Sequence, residues 1–391
     1  MLSRRALLMQ AAAGNKPRLK VTSIKAAPFR LLPESRFGAR NFQSDSDPAR
    51  SRWFGPFSQL AGSILVRIDT DQGLTGFGMG GGGTAAVHII DHHLKDLLIG
   101  VNPLNVEMIW DQMFASTSFY GRKGVAIMAM SGIDLALWDI AGKHAGLPVH
   151  RLIGGTARDR VPAYFTGPNV ELGLKLGFRA FKLPVNPGPE DGDAGKKKIV
   201  ETLTAARRSV GPEALLMIDC LCRWSVPYTL EMDKRIADAN VKLHFIEEPI
   251  LPDDLAGYEK LCREVRGTKI ASGEHEYTHY GFDLLLRQNA AHFLQPDLTW
   301  SGGLTTGKRV AALAAARSVP VIPHRGGSVY GMQLIISSAI CPMAESFGTS
   351  EPGNELMELL TSPFESGYYR APSGRGMGVE FPAEVLRKHG L

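Results

Sequence analysis

The chain has 391 residues and a formal net charge of +5, with 44% hydrophobic and 21% charged residues; this is globular composition, too long for one ordinary core, so two domains are expected. The positive charge is thinly spread: its densest cluster, Lys196-Lys197-Lys198, reads as a solvated helix face, and without aromatic-basic interleaving no nucleic-acid partner is expected. The cysteines Cys220, Cys222, Cys262 and Cys341 lack paired CxxC spacing, which argues against a zinc or disulfide framework and for a reducing, cytoplasmic setting; no stretch reads as a membrane span.

In chain order, Ser3-Arg4-Arg5 followed by Ala6-Leu7-Leu8-Met9 faintly resembles a twin-arginine export signal. Its apolar part ends at Gly14-Asn15-Lys16-Pro17 without a cleavage site, so residues 1–19 are expected to be a disordered leader. From Val21 to Gly83 the pattern is antiparallel strands: Ser63–Ile68 alternates, Asp69-Thr70-Asp71-Gln72-Gly73 supplies turn chemistry, and Leu74–Gly78 returns. Helical spacing follows over Ala85–Leu98 and Val125–Ala145, with Ile133, Leu137 and Ile140 on one face of the second. These elements predict an α+β capping domain over 20–155. Within it, Gly76-Phe77-Gly78-Met79-Gly80-Gly81 fits a dinucleotide-binding glycine spacing, but it belongs to a hairpin rather than to a βαβ unit, so a dehydrogenase is not the reading.

From Val161 short apolar strands alternate with helices: Val161–Phe165, Ala180–Leu183, Leu215–Ile218, Leu243–Ile246, Lys269–Ser272, Phe293–Gln295, Val319–Ile322 and Pro342–Glu345. Eight such repeats predict an α/β fold of the (β/α)8 barrel type over 156–350. The tail, 351–391, is expected to pack back on the capping domain.

Polar residues stand at the ends of these strands. Asp219, Glu247, Glu274, Asp297 and His324 follow one another at steps of 28, 27, 23 and 27 residues, each about one βα unit. They should therefore meet at the C-terminal mouth of the barrel, where barrel active sites lie. Three converging carboxylates repel one another unless a cation is shared, and an all-oxygen set suits Mg2+. Asp219, Glu247 and Glu274 are the predicted metal ligands. His324, with Asp297 on the preceding strand, is the predicted acid–base dyad. His275 is a weaker catalytic candidate, and Glu345 is expected to hydrogen-bond a carboxylate oxygen of the reacting substrate.

The segments Met217-Ile218-Asp219, Ile246-Glu247-Glu248-Pro249, Ser272-Gly273-Glu274-His275, Gln295-Pro296-Asp297 and Pro323-His324 resemble the mandelate racemase branch of the enolase superfamily. Asp134-Leu135-Ala136-Leu137-Trp138-Asp139 with Gly142-Lys143, and Gly146-Leu147-Pro148 with Leu152-Ile153-Gly154-Gly155, carry the same resemblance, which runs from about residue 20 to the C-terminus. Within the branch the chain is most similar to L-rhamnonate dehydratases, through Gly188–Gly195, Trp300–Thr306 and Ser328-Val329-Tyr330. The resemblance implies a modified (β/α)7β barrel under a capping domain, Mg2+ on the three acids, the His324–Asp297 dyad, and dehydration of a sugar acid by a homo-oligomeric enzyme.

One departure bears on the reaction. Racemases of this branch carry Lys-x-Lys on the second barrel strand, the second lysine being a base; here the strand reads Lys182-Leu183-Pro184, and proline accepts no proton. Lys182 is assigned to substrate binding together with Arg40 and Arg52, chosen from Arg36, Arg40, Arg50 and Arg52 in a loop only loosely similar to the family. A racemase or epimerase, with His275 as second base, is the alternative enzyme; a non-catalytic homologue is the third reading, and the complete ligand set speaks against it.

Overall fold

The computed structural model describes residues 18–29, 62–347 and 355–391. The twin-arginine-like segment and the arginines Arg36, Arg40, Arg50 and Arg52 lie outside the described residues. Leu19 is buried and Lys20 exchanges two hydrogen bonds with Asp71, so Leu19 belongs to the fold and not to a leader reaching residue 19.

Strands β1 (Val21–Phe29), β2 (Ser63–Thr70) and β3 (Thr75–Gly80) form the antiparallel capping sheet. Alternate residues of β3 face the Val125–Ala145 helix, and there they are all glycine. A Cβ on Gly76, Gly78 or Gly80 would sit 2.2, 2.1 or 2.5 Å from the carbonyl oxygens of Ala136, Gly132 and Met128, which lie one helical turn apart. The glycine run that mimics a dinucleotide fingerprint is thus the seat of a helix packed backbone to backbone.

That helix corrects one expectation. It is long and apolar enough to cross a membrane, but most of it is buried in the fold. It is apolar nearly all round because the sheet covers one side and the barrel the other. Its few polar residues pin neighbouring elements. Asp139 pairs with Lys143 at 2.8 Å and accepts from the backbone N–H groups of Phe77 and Met377. Asp134 accepts from the Thr305 N–H and hydroxyl at 3.0 and 2.5 Å, and the Trp138 indole donates to the same hydroxyl.

Burial pushes the Asp134 carboxyl up to about 7; Thr305 and Leu304 oppose the rise and the charge of Glu107 adds to it. The folded value lies above the ordinary 3.8, so the fold favours the neutral acid. This contribution is complete below 3.8 and is lost as pH rises towards 7, by at most about 1.4 kcal/mol per pH unit. We expect the melting temperature of the wild type to fall across that window relative to Asp134→Asn, whose amide stays neutral. Parallel melting-versus-pH curves for the two proteins would contradict this.

The barrel strands β4 (Arg160–Thr166), β5 (Ala180–Pro184), β6 (Leu215–Asp219), β7 (Ile246–Glu247), β8 (Ile270–Ser272) and β9 (Phe293–Leu294) pair in parallel in chain order. The seventh stave is weaker than the expected Val319–Ile322 strand, reduced to a bridge from Val321 to Leu294. Strand β10 (Ala344–Ser346) pairs with β4 and closes the ring. Two interior layers follow from the two-residue period of a strand. Ala180, Met217, Phe245, Phe293 and Ile322, with Tyr164 and Ala271, fill the barrel with apolar side chains. Two positions further along stand Lys182, Asp219, Glu247, Gln295 and His324.

The tail divides its contacts. Strands β11 (Phe364–Glu365) and β12 (Tyr368–Arg370) extend the barrel sheet, β12 pairing antiparallel with β4. Only further on does it meet the capping region, where Gly376 bridges to Pro148, Met377 donates to Asp139 and Phe381 packs on Phe77. The tail thus meets the barrel with its first part, at the residues of β4 that precede its pairing with β10, and the capping region with its second.

Candidate active site

Asp219 ends β6, Glu247 ends β7, and Glu274 follows β8 through Gly273. Gly273 has φ +125°, and a Cβ there would meet Phe282 at 2.8 Å. One carboxylate oxygen from each acid lies within 4.8 Å of the others. Leu221 donates its N–H to Asp219, while Lys182 and Gln295 hold the two oxygens of Glu247. Burial raises the Asp219 carboxyl to about 6, against the pull of Lys182 and with the charge of Glu274 adding to it. The donors are hard oxygens, more numerous in charge than the single ammonium of Lys182 can offset. The amide oxygen of Gln295 is buried there without a hydrogen-bond partner among the described residues. This donor set fits a hard divalent cation such as Mg2+.

Beside it, His324 Nδ1 faces Asp297 Oδ2 at 2.8 Å. The other Asp297 oxygen accepts from the Thr299 N–H and hydroxyl, both at 2.6 Å. With Nδ1 bound to the carboxylate, Nε2 is the nitrogen turned towards the acids; it lies 3.7 Å from Glu274 and 3.8 Å from Glu345. Burial opposes charge on this ring, but Glu274, Glu345 and Asp297 raise its pKa.

Three expectations change. Glu345 is not placed to donate to a substrate. It accepts from Thr166 and Lys182, each at 2.7 Å, and from the Arg325 N–H at 2.9 Å; despite burial, Lys182 and His324 hold it down to about 2. Lys182, assigned to substrate binding, is buried with its ammonium bonded to Glu247 and Glu345, 3.8 Å from Asp219. Those contacts make it a positioning group for the acids. Third, His275, the weaker catalytic candidate, has acidic partners as His324 does: its Nδ1 lies 2.6 Å from Glu248 and 3.6 Å from Glu274. Glu248 and the charges of Glu274 and Asp219 raise the His275 pKa to about 10 although burial opposes them. Arg40 and Arg52 lie outside the described residues.

The structure adds residues that spacing did not single out. Trp300 stands between the two histidines, its ring 5.5 Å from His324 and 5.7 Å from His275. The Arg325 guanidinium stacks on that indole at 4.9 Å, has its Nε 3.8 Å from Asp297, and keeps a buried Nη1 without a partner among the described residues. Arg325 follows His324 directly, so its place at the mouth was a usable signal. Pro184 pairs in register with Asp219, two residues beyond Lys182 and on the same strand face.

Residues 57–154 match the family described as mandelate racemase / muconate lactonizing enzyme, N-terminal domain, and residues 170–385 match the enolase C-terminal domain-like family. A protein of Caldivirga maquilingensis that carries the provisional name L-rhamnonate dehydratase is 38% identical over 367 residues, 92% of this chain and 88% of that one. The crystal structure of rhamnonate dehydratase from Gibberella zeae complexed with Mg superposes with a TM-score of 0.83 at 33% identity, covering 96% of this chain and 97% of that one. A racemase from Streptomyces coelicolor with bound magnesium superposes at 0.79 with 28% identity, covering 95% and 99%.

Proposed function

The chain belongs to the mandelate racemase / muconate lactonizing enzyme family of the enolase superfamily, and from that premise we propose that it is a Mg2+-dependent sugar-acid dehydratase acting on L-rhamnonate or a close stereochemical relative. The observation that carries the reading is the convergence of Asp219, Glu247 and Glu274 beside the Asp297–His324 pair. The similarity to rhamnonate dehydratases over nearly the whole chain supports the choice of reaction.

In this reading Asp219, Glu247 and Glu274 hold the cation, and Lys182 orients Glu247 and Glu345. The chemistry that Mg2+ supplies when bound is positive charge against the enediolate that develops on the substrate carboxylate. His324 Nε2 takes the proton next to that carboxylate, while Asp297 at Nδ1 fixes the tautomer and supports the imidazolium. The same nitrogen returns the proton to the β-hydroxyl as its C–O bond breaks, so one water leaves. The resulting enol tautomerises to a 2-keto-3-deoxy acid without any oxidant. Arg325, with its unpartnered Nη1, is the cation we assign to the anionic end of the substrate.

The test is a panel of aldonates beginning with L-rhamnonate, L-lyxonate and L-mannonate, read as semicarbazone of the keto acid. Keto acid from at least one of them is the expected result. One observation favours a racemase or epimerase instead: His275 has its own carboxylate, Glu248, and lies beside Glu274 as His324 does. Interconversion of epimers without keto acid would establish that reading and remove the first.

A further inference from the structure

Behind the carboxylate cluster lies a second group of metal-ligating atoms that the dehydration does not use. Cys222 Sγ is 3.1 Å from Glu248 Oε2, and His275 Nδ1 is 2.6 Å from the same oxygen. One ligating atom from each of the three residues lies within 4.8 Å of the others. Cys222 therefore does more than pack as a small apolar side chain. We propose that Cys222, Glu248 and His275 form a thiolate-containing site for Zn2+ or a similarly soft divalent cation, and that its occupation inhibits the enzyme.

Four observations carry this. The donor set is sulfur, nitrogen and oxygen, which selects soft or borderline metals, whereas the neighbouring all-carboxylate set selects Mg2+. Tetrahedral zinc with ordinary bond lengths needs these donors about 3.4–3.6 Å apart. The two contacts of Glu248 thus have to open by roughly 0.5 Å towards Cys222 and about 0.8 Å towards His275, within the reach of small side-chain rotations. The backbone presents them deliberately. Leu221, Cys222 and Glu248 all have positive φ, at 52°, 58° and 38°, although none is glycine, and the Cys222 N–H is tied to the Glu248 carbonyl at 2.7 Å. Such strain persists only where the surroundings enforce it. Finally, the His275 side chain is 34% exposed and Cys222 is half-buried, so a cation reaches the group from solvent.

Binding replaces the thiol proton of Cys222 and any proton on Nδ1 of His275, both released to solvent. It also takes Glu248 away from the imidazole. Because His275 Nδ1 is 3.6 Å from Glu274, the bound cation sits against a carboxylate that the Mg2+ cluster needs.

The probe is Cd2+, added to full-length enzyme in saturating Mg2+ while the ultraviolet cadmium–thiolate band and the turnover are followed together. We expect the band to saturate at about one equivalent as activity falls in step with it. Cys222→Ser should lose the band and need at least about tenfold more Cd2+ for half-inhibition, while its turnover without Cd2+ stays within about twofold of wild type. Cys262→Ser should keep both the band and the inhibition. On the wild type alone, raising Mg2+ should raise the half-inhibitory Cd2+ concentration only to a plateau, because the two cations act on Glu274 from separate sites, which keeps the test decisive even where a variant folds poorly. An unaltered band or unaltered inhibition in Cys222→Ser would overturn the proposal. So would relief of inhibition by Mg2+ in proportion to its concentration, because the cadmium would then be acting at the carboxylate cluster.

Discussion

His324→Asn is expected to lose about 10²–10⁴ in kcat, the usual worth of one positioned acid–base group, and the loss should reach the upper end because the same nitrogen acts twice. Asparagine keeps a polar side chain of similar reach but neither accepts nor returns a proton at neutral pH. The metal cluster should survive the change, since His324 Nε2 lies 3.7 Å from Glu274 and makes none of that residue's necessary contacts. Asp297→Asn should lose less. The imidazole remains, but Nδ1 no longer faces a carboxylate at 2.8 Å, and the imidazolium loses its support. Exchange of the substrate α-proton in heavy water separates the steps. With His324 as the base, the asparagine variant neither dehydrates nor exchanges. Wild-type exchange without dehydration would assign proton removal to another group. His275, held by Glu248 at 2.6 Å, would then be that group, and His324 only the acid for the leaving hydroxyl.

How far the site could be read from sequence depends on which rule places each residue. Asp219, Glu247 and His324 sit two positions beyond the interior residues Met217, Phe245 and Ile322, so strand period and βα spacing alone carry them to one end of the barrel. Glu248 escapes that logic. Its neighbour Glu247 points inward, so alternation sends Glu248 to the opposite face, but its φ of 38° turns the chain and brings the carboxylate to His275 and Cys222. No pattern in the letters announces a left-handed glutamate. Lys182 is legible as a residue of the second barrel strand, but its partners Glu247 and Glu345 are not, because pairing inside a crowded polar layer depends on distances that periodicity does not contain. The helix Val125–Ala145 was legible in its bounds but not in its surroundings. An all-round apolar helix reads alike in a membrane and between two layers, and only its glycine-lined contact with β3 and the buried Asp134 and Asp139 distinguish them.

Exhaustive chelation should abolish turnover while leaving the protein folded, and Mg2+ should restore it. The fold has no need of the cation: the apolar layer from Tyr164 to Ile322 closes the barrel beneath the acids. The proposed chemistry does need it. The cations Lys182 and Arg325 are outnumbered there by the acids Asp219, Glu247, Glu274 and Glu345, which repel a developing enediolate. Removing one ligand tests the same point from the protein side. Glu247→Gln keeps the shape of the side chain and its contact with Gln295 but deletes one charge, and it leaves the buried ammonium of Lys182 with Glu345 at 2.7 Å as its nearest anion. We expect the variant to lose measurable turnover at Mg2+ concentrations that saturate the wild type. Its thermal stability should also stop responding to Mg2+, whereas in the wild type a cation at about 100 times its dissociation constant adds about 2.7 kcal/mol to the folded state. That second readout does not depend on activity. A wild type whose melting temperature ignores Mg2+, or one that turns over fully after chelation, would show that Asp219, Glu247 and Glu274 hold no catalytic metal, and the enediolate mechanism would lose its main source of positive charge.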